Sequence, residues 1–159
     1  MTIAAGLAIA LGASTAALSD SSMDATVKAR QGHMHEIAGA AKTIGDQLQS
    51  ATPDLAAIRS AAHTLKGLGQ DLPGWFPKGS GPESGAKTRA KPEIWTDAAT
   101  FANDAADFKN ATAKLDEVAV AGDPAALKAQ MGAMGLTCGA CHQAYRGPPI
   151  PAAPPPPAS

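Results

Sequence analysis

The chain has 159 residues, one domain's worth, with 13 Lys+Arg against 14 Asp+Glu. That near balance excludes the basic excess of an electrostatic nucleic-acid binder, and 45% hydrophobic residues exclude a disordered acidic chain. The apolar content is of small bulk: 37 residues are Ala, whereas Phe, Trp and Tyr total six. Few β-branched or aromatic residues argue against a sandwich or barrel, and Ala favours helix.

In chain order, Ile3 to Leu18 is apolar or small, and the first charged side chain is Asp20. This stretch is short for a membrane span, which needs about 20 residues. It fits the apolar region of an export signal, although no Lys or Arg precedes Lys28. Residues 1–22 are therefore expected to be a signal peptide and the mature protein periplasmic, without a membrane span.

The first predicted helix runs from about Asp24 to Gln49, with a stripe of Val27, Arg30, Met34, Ile37, Ala41, Ile44 and Leu48. The second, about Asp54 to Leu72, carries Leu55, Ile58, Ala62, Leu65 and Leu72. Thr52 is its expected cap, with Pro53 opening it. A Gly/Pro/Ser-rich connection follows, Pro73 to Lys91, and Trp75-Phe76 within it is expected to plug one end of the core. The third helix, about Pro92 to Ala121, carries Ile94, Ala98, Phe101, Ala105, Phe108, Thr112, Leu115 and Ala119. After Gly122, with Asp123 as cap, the fourth runs from about Pro124 to Arg146 with Leu127, Met131, Met134, Cys138, Cys141 and Tyr145. Narrow stripes and a short third connection predict an all-α, antiparallel four-helix bundle over 23–146. Residues 147–159 form a Pro-rich tail, expected to be disordered.

Arg30 is out of place on an apolar stripe. A buried Arg calls for an anionic partner such as a bound cofactor, unless it snorkels out near the helix end, and no carboxylate falls on the opposing stripes. Met131 and Met134 read as core. His33 and His35 flank Met34 and are expected to face solvent, with His63 partly exposed.

Cys138-Gly139-Ala140-Cys141-His142 is C-x-x-C-H, the attachment signature of c-type haem. On a helix, thiols three apart share a face, so both can bond one porphyrin, and His142 is on the same side to reach the iron. A thioredoxin-like pair would need a βαβ context, which is not predicted. A zinc site would have to recruit His33, His35 or His63 without familiar spacing. A plain disulfide in a structural bundle gives His142 no role.

With these residues in view, the chain resembles the class II c-type cytochromes, the cytochrome c prime family, from about Ala25 to Arg146. The resemblance is carried by Val27-Lys28-Ala29-Arg30-Gln31, Phe76 to Ser80, Thr88 to Trp95, and Cys138 to His142 followed by Tyr145-Arg146. The loop and third-helix segments are closest to low-spin members. The resemblance implies one covalent haem c with His142 as proximal ligand. It implies that Arg30 and Gln31 hydrogen-bond a propionate and that Arg146 lies near the proximal imidazole. Position 34 carries a bulky apolar residue in five-coordinate members and a ligating methionine in low-spin ones; here it is Met34. The expected function is single-electron transfer between redox partner proteins, without substrate turnover. The alternative is a high-spin cytochrome c prime that binds nitric oxide or carbon monoxide. Pairing through the first two helices, rich in Ala, Gly and Ser on their outward faces, is left open.

Overall fold

A computed structural model describes the backbone of residues 14–151 and the side chains of residues 23–151. Most of the predicted export segment 1–22 and the end of the Pro-rich tail, 152–159, lie outside the described residues. Four long helices form the bundle: α1 (Ser14–Gln49), α2 (Leu55–Asp71), α4 (Ala98–Ala121) and α5 (Pro124–Tyr145). A one-turn helix, α3 (Glu93–Thr96), precedes α4.

The helices pack in the order α1, α2, α4, α5, with three closed seams. The fourth side differs: α1 and α5 touch only sparsely. Ile44, Ile58, Ala62, Leu65, Leu115 and Leu127 are fully buried along the closed seams, and each lies on its predicted stripe. Ala61 and Gly69 are buried as well, widening the buried face of α2 beyond that stripe.

Local chemistry explains the helix ends. Asp54, not Thr52, caps α2 and accepts from the amides of Ala56 and Ala57; Pro53 thus precedes the cap instead of opening the helix. Asp123 caps α5 as expected, with Pro124 at the first helical position. Gly122 closes α4 in the left-handed region at φ 75°, which keeps α4 and α5 antiparallel neighbours.

The third predicted helix is broken. Asp97, at φ −122° and ψ 54°, ends α3 and begins α4, where its carboxylate accepts from Thr100. The break shifts the helical phase, so Ala98 is exposed although the period put it on the seam. Start of α1 also differs: the backbone is helical from Ser14, ten residues before the expected start at Asp24.

Candidate functional site: the α1–α5 face

Cys138 and Cys141 lie one turn apart on α5, half-buried against the core, as free thiols. Burial raises the Cys138 thiol, and burial together with Asp104 and Cys138 pushes Cys141 up to about 11. Gly139 and Ala140 between them are exposed, and no side chain crowds Gly139. His142 is in the last turn of α5 and is exposed. Partial desolvation, then the positive charges of Arg146 and Arg89, lower its pKa. All three effects favour the neutral imidazole, the form that ligates a metal. Arg146 ends α5 in an extended conformation, its amide donating to His142 O. Sequence reasoning gave Arg89 no role beside His142, because it sits in a loop with no period.

Across from α5, α1 carries Arg30 and Met34 one turn apart. Met34 is half-buried and packs against the core. Arg30 is only 4% exposed. Its partners correct the argument that burial alone demands an anion. Nη1 donates to Trp75 O at 3.3 Å and Ser80 Oγ at 3.0 Å; Nη2 donates to Ser80 O and Thr88 Oγ1, each at 3.0 Å. The guanidinium also lies over Phe76, 4.7 Å from the ring centroid. Gln31 Nε2 donates to Lys87 O at 2.8 Å. Hydrogen bonds are therefore supplied by neutral loop oxygens. The charge itself has no carboxylate partner among the described residues, and desolvation lowers the Arg30 pKa.

The aromatic plug is seated as expected. Phe76 packs edge-on against Phe101 at 5.0 Å, and Phe101 against Tyr145 at 5.2 Å. Trp75 stacks on His33 at 4.6 Å. His33 thus points outward as expected and keeps 39% of its side-chain surface exposed, the rest being covered because the loop brings an aromatic face onto the outer side of α1. His35 and His63 are exposed. Met134 is buried and Met131 half-buried, both packed in the core.

These residues fit a covalent haem better than the rival sites. The two thiols share one helix face, half-buried against the core and with Asp104 of α4 close to Cys141, and the imidazole next to them has its neutral form favoured. Among the described residues no three His, Cys, Asp or Glu side chains converge on a metal position, and the only β pairing is an isolated bridge. No described helix is long and apolar enough to cross a membrane.

Comparison with known proteins points the same way. A family model described as Cytochrome C' matches residues 25–146. Cytochrome c' of Alcaligenes xylosoxydans xylosoxydans is 43% identical over 93 residues, 58% of this chain and 69% of that protein. Cytochrome c-554 of Cereibacter sphaeroides is 34% identical over 122 residues, 76% of this chain and 91% of that protein. A solved structure, the nitric oxide complex of a variant of cytochrome c prime from Alcaligenes xylosoxidans, superposes with a TM-score of 0.71. It is 32% identical and covers 79% of this chain and 97% of that one.

Proposed function

Because the chain belongs to the cytochrome c' family, whose members carry one covalently attached haem c, we propose that it is an exported monohaem electron carrier with iron ligated by His142 and Met34. A bound haem supplies the one-electron chemistry. Cys138 and Cys141 tether it through thioethers, and His142 provides the proximal imidazole. Partial burial, then Arg146 and Arg89, favour the neutral form of that imidazole. The uncompensated charge of Arg30 would attract a nearby propionate by charge, while its terminal N–H groups hold the loop, with Gln31 beside it. The protein excludes water with the Phe76, Phe101 and Tyr145 cluster.

The observation that carries this reading is Met34: a thioether half-buried on α1, one turn from Arg30 and packed against the core. With a haem bound, a Met34 thioether on the iron together with the imidazole of His142 would raise its potential and leave a gas no place to bind. The second reading is a high-spin protein that binds nitric oxide or carbon monoxide. The relatives named cytochrome c', and the nitric oxide complex among the solved structures, lend it more support than they lend electron transfer.

A spectrum of the holoprotein separates the two. Electron transfer predicts sharp, split visible bands on reduction and little change with carbon monoxide; Met34→Leu then becomes high-spin and binds the gas. A broad wild-type spectrum with ready gas binding selects the second reading. A Met34→Leu protein that stays low-spin assigns the sixth ligand elsewhere.

A further inference from the structure

We infer that the loop between α2 and α3 is a strap that fixes the distance between α1 and α5, and that Arg30, Ser80 and Thr88 are positioning residues for the group held between them. The sixth-ligand part of this inference rests on the Met34 reading.

The path is continuous. On α1, all four terminal N–H groups of Arg30 go to Trp75 O, Ser80 Oγ, Ser80 O and Thr88 Oγ1. Gln31, the next residue, holds Lys87 O at 2.8 Å. Thr88 Oγ1 accepts in turn from the amide of Ala90 at 3.1 Å. Ala90 then forms an antiparallel bridge with Arg146. Lys91 N donates to Tyr145 O at 2.9 Å, and Gly147 N to Arg89 O at 2.7 Å. Two side chains reinforce the grip: Arg89 Nε to Gly147 O at 2.8 Å and Lys91 Nζ to Ala144 O at 2.6 Å.

One end of the strap is gripped by α1 a turn before Met34, and the other by the end of α5 just beyond His142. The two helices have little direct packing of their own. Burying a cation to hold neutral oxygens costs more than an apolar filler would, which is intelligible if its five-donor fork fixes a spacing. Ser80 is fully buried, and its hydroxyl both accepts from Arg30 and donates to Pro77 O at 2.8 Å.

The test uses the holoprotein with Met34 intact, in Ser80→Ala, Thr88→Val and Arg30→Lys; the last keeps the charge and loses the fork. Amide exchange at Lys91 and Gly147 should accelerate about tenfold in Thr88→Val while Leu115 is unchanged. The carbon monoxide-bound fraction of the reduced variants should rise about tenfold at a fixed gas concentration, well below their melting temperatures. If Thr88→Val does not fold, Ser80→Ala carries the same readouts. Unchanged exchange at both amides overturns the strap. So does faster exchange with unaltered gas binding in a protein whose wild type is low-spin. A high-spin wild type removes the Met34 reading alone, and exchange then decides the strap by itself.

Discussion

Gly69 is buried on α2 where α4 crosses it, and a Cβ there would run into Thr112 Oγ1. Gly69→Ala should therefore lower the unfolding free energy by about 1–3 kcal/mol, read by denaturant titration of the holoprotein. Combining it with Thr112→Ala should return much of the loss; a neutral single variant would show that α2 and α4 part freely. Tyr145 offers a second residue-scale check. Its phenol is held above the usual range by burial and then by Asp104, with which it shares a hydrogen bond. The unfolded chain ionises near pH ~10 while the folded phenol is still protonated. This contribution to stability is complete below that point and is lost as pH rises through the folded value. Tyr145→Phe keeps the edge-on packing on Phe101, and it should flatten the alkaline loss of stability in titrations above pH ~9. The stripe pattern exposed Arg30 as anomalous. It could not reveal the partners, because Ser80 and Thr88 sit in a loop where no period marks a buried oxygen. The partial cover of His33 has the same origin: helical phase describes α1 alone, and Trp75 arrives from the loop.

At the scale of the elements, ends carry most of the information. Gly122 takes a positive φ to turn α4 into α5, and Gly122→Ala should cost about 1–2 kcal/mol without altering the visible spectrum. A spectral change would mean that the turn reaches the site. Asp97→Ala should cost about 1 kcal/mol through the lost cap, again measured by denaturant midpoint. Four helices, their faces and the Asp123 cap were legible because Pro, Asp and Gly mark helix ends in short range. The break at Asp97 was not. The apolar period continues through Ile94, Ala98 and Phe101, and only the capping of Thr100 by Asp97 distinguishes two helices from one. The motif on α5 was legible for a covalent reason: its residues are within five positions of one another, so local geometry suffices.

On the scale of the whole molecule, the closed seams and the open one predict unequal stability. In a Cys138→Ser/Cys141→Ser chain, hydrogen exchange should be fastest across α1, with α2 and α4 still protected through Ile58, Ala62, Leu65 and Leu115. Uniform protection in that variant would show that α1 needs no help to dock. The Ala-rich composition fits this picture: small side chains such as Ala62 and Ala105 allow helices to pack closely in the row.

The order α1, α2, α4, α5 also bears on how the chain reaches its fold. Each closed seam joins long helices that follow one another in sequence, so the interactions that build the bundle are of low contact order and form quickly. The one closure that spans nearly the whole domain, from Arg30 to Arg146, is delegated to a loop that meets both ends. Loop-closure entropy for that last step is thereby divided into two shorter stretches, one from α1 to Thr88 and one from Ala90 to Arg146.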